Sequence, residues 1–192
     1  MTHSQNRPLL DSLLARRSVK PRRLRPPGPD TRALDRIVAA GLRGIDHGGL
    51  RPWRLLLIED RERLAAAFAD AEAHLRPDAD AEQLQQAREK ALAGPVLLAA
   101  LFCPHPGHDD VPEHEQWIAA GAALQQMLLA ADALGYSGSL LSGRKTETPP
   151  LRSALGLADR EHLIGFLTLG TPASPPPAAP AATPGSRWSR WP

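Results

Sequence analysis

The longest helical stretch of the sequence is EHEQWIAAGAALQQMLLAADAL, residues 113–134. Its middle, residues 118–124, is apolar on nearly every face, and a helix of that kind must be buried. The alanines and the glycine of this segment leave room for another backbone to approach closely. In a chain of 192 residues, a buried helix of this length predicts a core that is shared with a second subunit.

Shorter segments on both sides of this helix predict the other elements. Apolar runs bounded by turn residues predict strands, and apolar residues at spacings of three and four predict helices. Asp30 stands where its carboxylate can cap one of these helices. The predicted strands cover residues 53–59, 96–103, 135–141 and 163–169, and the further helices cover 8–15, 31–43, 61–75, 80–92 and 149–155. Strands interspersed with helices in this way indicate an α+β protein with a layered sheet.

The composition is that of a globular protein, since 42% of the residues are hydrophobic and 23% are charged. A formal net charge of +2 is too small for the global field to draw the chain to nucleic acid or to a membrane. The start of the sequence has no apolar signal segment, and no run reaches the roughly 18 to 20 apolar residues of a membrane helix. The single cysteine, Cys103, cannot form an internal disulfide and fits a reducing cytosol. We therefore expect a cytoplasmic protein with no membrane or nucleic-acid partner.

A basic segment follows the first predicted helix, with six Lys or Arg residues in the ten positions 16–25. Its first members are Arg16, Arg17 and Ser18, and two forked guanidiniums beside a hydroxyl suit a phosphate group. Two other interpretations stay open. One is a solvated basic helix end that the helix dipole favours, and the other is an arm that binds RNA or an acidic partner. Against RNA, the segment lacks the interleaved aromatic residues of a surface that binds single strands.

The loop over residues 44–52 is a second candidate binding region. It lies between a predicted helix and a predicted strand, where ligand-binding residues are common. Arg43, His47 and Arg51 can hydrogen-bond the polar edge of a ring and a ribityl chain. A histidine in such a loop can equally be structural or merely exposed.

Two further polar clusters argue against metal and hydrolase chemistry. The loop over residues 104–115 contains histidines and carboxylates, but their spacing matches no structural zinc site, so we predict no metal. The segment over residues 135–144 is rich in glycine and serine. It lacks the residue order of a P-loop and the Gly-x-Ser-x-Gly context of a nucleophile elbow. We name no catalytic residue from either cluster.

The order of several motifs resembles that of the nitroreductase family, most closely its short bacterial members. The motifs are Leu-Leu-x-Arg-Arg-Ser over 13–18, Ala-Gly-Leu-Arg-x-x-Asp-His-x-x-x-x-Pro-Trp over 40–53, Ala-Leu-Gly-Tyr-x-Gly over 133–138, Ser-Gly at 142–143, Thr-Glu-Thr-Pro over 146–149 and Ile-Gly-Phe-Leu-x-Leu-Gly-Thr-Pro over 164–172. The resemblance covers about residues 9–172. We predict one domain over residues 1–172 and a Pro/Ala-rich arm over residues 173–192 that is too poor in core-forming side chains to pack.

The resemblance implies a fold and a reaction. The expected fold is a three-layer α+β sandwich, with a mostly antiparallel sheet between helices, that forms an intertwined, domain-swapped homodimer. The expected cofactor is FMN, one at each subunit interface. The expected reaction transfers a hydride from NAD(P)H through the flavin to a small-molecule acceptor such as a nitroaromatic or a quinone. The flavin would carry the chemistry, and the protein would supply position and electrostatics.

The resemblance also implies roles for particular residues. Arg16, Arg17 and Ser18 would hold the FMN phosphate and ribityl region. Arg43 and His47 would line the flavin site, with His47 able to reach it from the other subunit. The segment that passes beside the flavin would consist of Leu140, Leu141 and Ser142. The stretch that matches the nicotinamide-nucleotide region of the short members consists of Ala130, Ala131, Asp132, Ala133, Leu134 and Gly135.

The sequence departs from the short members at Leu140 and Leu141, where those proteins carry a Trp-Arg pair. An indole and a guanidinium that would face the flavin are therefore missing, although Arg144, Arg187 or Arg190 can supply the charge. Three alternatives to the expected reaction stay open, and the missing pair favours the last of them. They are a dehalogenase-type flavin enzyme, a flavin-modifying enzyme, and a flavin-free interaction protein that uses the basic N-terminal segment.

Overall fold

The structure, a computed structural model, describes residues 7–174 and 187–191. Within these ranges the chain forms six α-helices and five β-strands. Their order is α1 (Arg7–Ala15), β1 (Leu24–Arg25), α2 (Thr31–Gly41), β2 (Trp53–Leu57), α3 (Arg61–Leu75), α4 (Ala81–Leu92), β3 (Val96–Phe102), α5 (Glu113–Ala133), β4 (Ser137–Leu141), α6 (Pro149–Ala154) and β5 (His162–Pro172). Most of the predicted arm over residues 173–192 lies outside the described residues.

The sheet is built on β5, which pairs with strands on both of its long edges. β3 pairs with one edge of β5 and itself pairs with β2, while β4 pairs with β5 from Ser137 opposite Gly170 to Leu141 opposite Phe166. The short β1 pairs with the end of β5, at Thr171 and Pro172. Every one of these pairings is antiparallel, as the family resemblance implied.

Alternating side chains of β3 and β5 produce two separate cores, one on each face of the sheet. Leu97, Ala99 and Leu101 of β3 pack on the side of α3, α4 and α6. Leu98 and Ala100 pack on the opposite side, with α2 and α5. Near-continuous apolar strands of this kind are typical of a sheet that is covered on both faces. The predicted three-layer α+β sandwich is confirmed.

Carboxylate caps fix the beginnings of three helices. Asp30 accepts from the Ala33 N–H at 2.8 Å, as predicted, and Asp60 accepts from the Arg63 N–H at 2.9 Å. Asp80 forms a reciprocal capping box with Gln83. Each such cap typically contributes about 1 kcal/mol to stability. The caps at Asp60 and Asp80 define where α3 and α4 begin. The two helices lie against each other, and the buried residues of α4 are alanines.

The predicted strand pattern was wrong in number and in length. Four strands were expected and five are found in the described residues, because β1 has only two residues and so carries no periodicity that a sequence could show. β5 extends beyond the apolar run 163–169 because its backbone ladder continues through His162, Gly170 and Pro172. β4 begins at Ser137 rather than at residue 135, since Gly135 adopts a left-handed conformation (φ 84°) that ends α5.

Two helices leave apolar surface exposed in the single chain. All the side chains described on α1, at positions 10–15, are exposed, including Leu14 at 65%. The central helix α5 was expected to be buried on every face, but Trp117, Ile118 and Gly121 form an exposed stripe on it. A core shared with a second subunit, as the sequence predicts, would leave such a stripe exposed in one chain, so the shared core stays a prediction. Within the described ranges, every helix falls short of the length or the hydropathy that a membrane crossing requires.

Candidate functional site

The segment predicted to lie beside a flavin is found at the end of the edge strand β4. Leu140 is half-buried and packs with the core between the sheet and α5, while Leu141 points to the other face and is 38% exposed. Ser142 follows as the first residue after the strand, and it is exposed. The three residues therefore present one hydroxyl, one exposed apolar side chain and a strand end at the surface.

A β-bulge in β5 holds Ser142 in place. The register between β3 and β5 shifts between Ala100 and Leu101, which leaves Ile164 without a partner residue on β3. The Ser142 hydroxyl donates to the Ile164 carbonyl at 2.7 Å. At the next position, Gly165, a Cβ atom would lie 2.4 Å from the Leu141 carbonyl oxygen, so only glycine permits β4 to approach this closely. Bulges are common beside binding sites because they redirect side chains in this way.

The basic N-terminal segment docks onto the same strand. The Val19 N–H donates to the Gly138 carbonyl at 3.0 Å, and the Val19 side chain is buried. Arg16 and Arg17 directly precede this anchor and are half-buried, and Ser18 is exposed. Among the described residues, no carboxylate pairs with either guanidinium. The structure thus places a segment with two unpaired cations and a hydroxyl next to the start of β4.

The loop that contains Arg43 and His47 lies on α5 instead. Gly44 packs directly on the backbone of that helix, where a Cβ atom would be 3.0 Å from the Ala123 nitrogen. His47 is exposed, and its Nδ1 lies 2.7 Å from Oε2 of Glu115. In the described part of one chain, no hydrogen bond or ion pair joins Arg43 or His47 to the segments 16–18 or 140–142. The placement of these two residues at a flavin therefore stays a prediction.

The predicted nicotinamide stretch, residues 130–135, forms the end of α5 and the turn into β4. Ala131 is fully buried, whereas Asp132, Ala133 and Gly135 are exposed. The Tyr136 N–H donates to the Ala131 carbonyl at 2.9 Å and closes the helix. This hydrogen bond fixes the turn from α5 into β4. The role of residues 130–135 in binding a nucleotide stays a prediction.

Sequence reasoning missed an aromatic cluster beside Ser142. The Trp117 ring stacks on Phe102, with centroids 3.8 Å apart and planes 21° apart, and His162 lies 5.7 Å from Trp117. Trp117 and His162 also line an open cavity of about 370 Å³ that reaches Ser142. The one available signal was a tryptophan in a helix that is otherwise rich in alanine. A larger cavity of about 520 Å³ lies under the histidine-containing loop over 104–113; its lining includes His162 but no residue of the segments 16–18 and 140–142.

A polar cluster at the ends of β2, β3 and β5 involves the single cysteine. Arg54 donates to both oxygens of Glu161, at 2.6 and 2.8 Å, and the Cys103 thiol donates to Glu161 at 3.3 Å. Hydrogen bonds from the Arg54 guanidinium lower the pKa of Glu161 to about 2. Burial, and then the contact with Glu161, raise the pKa of Cys103 to about 11. Cys103 is thus a protonated thiol at neutral pH, which a nucleophile must not be.

Three arginines were expected to offer charge near the flavin. Arg144 follows Ser142 closely and is exposed, without an ion-pair partner among the described residues. Arg187 and Arg190 lie in the described tail, all five residues of which are exposed. Of the three, only Arg144 is placed near the segment 140–142 by the chain itself.

Comparison with known proteins gives a consistent result. The model of the nitroreductase family matches residues 13–171. The Escherichia coli K12 protein YdjA, whose name describes it as an NAD(P)H nitroreductase, is 34% identical over 165 residues, which are 85% of this chain and 87% of YdjA.

Solved structures share the fold. A nitroreductase-like family protein from Bacillus cereus superposes with a TM-score of 0.82 at 18% identity, and the match covers 100% of this chain and 98% of that one. The NADPH:FMN oxidoreductase from Vibrio harveyi gives a TM-score of 0.72 at 18% identity, covering 94% of this chain and 76% of that chain. At this level of identity the likeness is one of fold.

The Arg54–Glu161 pair makes a prediction about acid stability. Because the pKa of Glu161 is depressed in the folded state, its contribution is complete above about pH 4.5 and is lost as the pH falls towards about 2. We expect Glu161→Gln to lower the free energy of unfolding at pH 7 by about 1–3 kcal/mol. The difference from the wild type should shrink between pH 4.5 and pH 2 in urea-unfolding curves.

The matched control is Glu59→Gln, which removes an exposed carboxylate and should change stability by less than about 0.5 kcal/mol. A difference between Glu161→Gln and the wild type that stays constant from pH 7 to pH 2 would contradict the assignment.

Proposed function

This chain belongs to the nitroreductase family and is an oxidoreductase, and from that premise we propose that it binds FMN and uses NAD(P)H to reduce a nitroaromatic, a quinone or a similar small acceptor. The names of YdjA and of the Vibrio harveyi oxidoreductase support this proposal. The observation that carries it is the pair of unpaired guanidiniums, Arg16 and Arg17, anchored beside β4.

The residues at this position fit a phosphomonoester. A phosphate needs several N–H and O–H donors and positive charge, and Arg16, Arg17 and Ser18 offer both within three positions. Nothing else in the described chain neutralises the two guanidiniums. The bond from Val19 to Gly138 attaches the segment near the start of β4, and Ser142 follows the last residue of the same strand. We propose that the phosphate of FMN lies near the start of β4 and that the flavin ring lies near its end.

Bound FMN would supply two-electron hydride chemistry. The residues of the chain would orient the flavin and the acceptor and shield them from water. Ser142 is fixed by its bond to Ile164, so its backbone and hydroxyl are presented in one conformation beside the ring site. Trp117 and His162 wall the adjacent cavity of about 370 Å³ and provide flat surfaces against which a planar acceptor can lie.

We also propose that the protein acts as a homodimer. Leu10, Leu13 and Leu14 of α1 and the stripe on α5 are apolar surfaces that a single subunit leaves in water, with Ile118 55% exposed. Contact between two copies would bury them and give the shared core that α5 predicted. The same contact would allow Arg43 and His47 to reach the flavin of the other subunit, and residues 130–135 to contact the nicotinamide nucleotide. A reduced Cys103 suits the cytoplasmic location that we propose.

Membership of an oxidoreductase family disfavours the flavin-free interaction protein, because a protein of that kind would catalyse no redox reaction. Dehalogenase-type and flavin-modifying activities share the fold and the cofactor with the proposed one. The acceptor distinguishes them, and the fold does not determine it.

The reaction is tested by anaerobic reduction of the FMN-loaded protein. We expect the visible absorbance of bound flavin to fall on addition of NADH or NADPH and to return when a nitroaromatic or a quinone is added. Flavin that stays oxidised with both nucleotides would contradict the proposal. Reduction without return by any such acceptor would favour one of the two alternative flavin activities.

Arg16 is predicted to hold the phosphate. Arg16→Ala should weaken FMN binding by about 1.5–3 kcal/mol, the usual cost of losing a hydrogen bond to a charged group. FMN fluorescence quenching measures this directly. The matched control is Arg22→Ala, a few positions further along the same basic segment, which should leave the dissociation constant unchanged. Equal effects of the two substitutions would mean that the segment acts only through its overall charge.

The dimer is predicted to depend on the stripe on α5. Ile118→Lys should give a monomer in sedimentation equilibrium, because it places a charge in the proposed contact. The control is Leu57→Lys, which alters an exposed leucine at the end of β2 and should leave the dimer intact. A wild-type monomer, or dimers in both variants, would refute this contact.

A further inference from the structure

Glu72 is a carboxylate on the core-facing side of α3. It is only 5% exposed, and the other buried residues of this helix are alanines and a leucine. Burying a charge is costly unless a partner compensates it. Glu72 has two such partners, Arg76 at the residue that follows the end of α3 and Lys145 from a distant turn.

Lys145 is the partner that links α3 to the candidate site. It lies in the 3-10 turn Arg144–Glu147, directly after β4 and Ser142. Its side chain is 19% exposed, and its ammonium lies 5.6 Å from the centre of the Phe68 ring. The contact with the Lys145 ammonium is the main reason why the pKa of Glu72 is lowered. Arg76 is half-exposed, so water can replace its contact more easily.

Backbone and hydroxyl hydrogen bonds transmit the position of Lys145 to the whole turn. The N–H and the hydroxyl of Thr148 both donate to the Lys145 carbonyl, at 3.0 and 2.7 Å. The N–H and the hydroxyl of Thr146 both donate to the Gly143 carbonyl, at 3.0 and 2.8 Å. Lys145 is therefore held at its carbonyl by the turn and at its ammonium by Glu72. Fixing it fixes the direction in which the chain leaves Ser142.

We propose that Glu72 is a positioning residue: through its ion pair with Lys145 it holds the turn over residues 143–148, and with it the segment 140–142, in the conformation that receives the flavin. The link to the flavin rests on the proposed function. Glu72 touches neither cofactor nor substrate in this scheme, because it acts through the turn. The pair joins the layer of α3 to the site across the edge of the sheet.

The first test uses the flavin-free full-length protein, so that it does not depend on FMN. Hydrogen–deuterium exchange is measured for the peptide that covers residues 143–148. Glu72→Gln and Lys145→Gln should each speed exchange of this peptide roughly tenfold, and the double variant should exceed neither, as expected for two residues that act as one pair. The matched control, Arg76→Gln, removes the other partner of Glu72 and should change this exchange by less than about twofold.

Exchange in β3 and β5 separates a local effect from general destabilisation. If these strands stay protected while the turn opens, the pair holds the turn. Unchanged exchange at 143–148 would overturn the proposal. Equal acceleration throughout the chain in both single variants would also overturn it, since the pair would then serve only global stability. Lys145→Gln provides a second route to the answer if Glu72→Gln fails to fold.

The second test concerns the flavin. Glu72→Gln and Lys145→Gln should raise the FMN dissociation constant roughly tenfold and alter the visible spectrum of bound flavin, whereas Arg76→Gln should do neither. Wild-type FMN affinity and an unchanged spectrum in all three variants would overturn the link between the turn and the flavin. Failure of the wild-type protein to bind FMN would instead overturn the proposed function, and the exchange result would still decide whether Glu72 holds the turn.

Discussion

Strand β5 pairs with a neighbour on each of its two edges, and these pairings position both cores and the candidate site. β3 on one edge closes the two cores, and β4 on the other edge carries the candidate site. The bulge at Ile164 satisfies both neighbours at once. It interrupts the residue pairing with β3 at one position, and the Ile164 carbonyl accepts the Ser142 hydroxyl. Gly165 makes this possible, because any side chain there would collide with the backbone of β4. The strand that builds the fold therefore also shapes the site.

Much of the fold could be predicted from the sequence, because long apolar segments carry a clear period. The bounds of α3 were predicted without error, and the cap at Asp30 was predicted from one side chain. The sequence does not show which segments pair with each other in the fold. A two-residue strand such as β1 has no period, and the extension of β5 depends on backbone partners far away in the chain. The exposed stripe on α5 agrees with the predicted shared core, but its members could not be named from the sequence because composition does not say which face the other elements of one chain cover.

The residues of the candidate site were likewise predicted only in part. The Arg-Arg-Ser motif and the segment 140–142 were identified as sequence, and the structure brings them to one strand through the bond between Val19 and Gly138. Trp117, His162 and Glu72 were not identified, because each becomes relevant only through a contact across the fold. Arg43 and His47 lie on another surface of the same chain, which is understandable if a second subunit completes the site. One subunit thus presents two unpaired guanidiniums, a strand end and an open apolar surface.

If the unpaired guanidiniums beside β4 hold the phosphate of FMN, the flavin-stripped protein must bind FMN. A titration of the purified, flavin-stripped protein with FMN, followed by quenching of flavin fluorescence, measures this binding. We expect saturable binding of one FMN per subunit, weakened at high salt because charge on the phosphate contributes to affinity. Absence of binding up to high-micromolar FMN would contradict it, and would leave Arg16 and Arg17 as no more than the basic end of a helix.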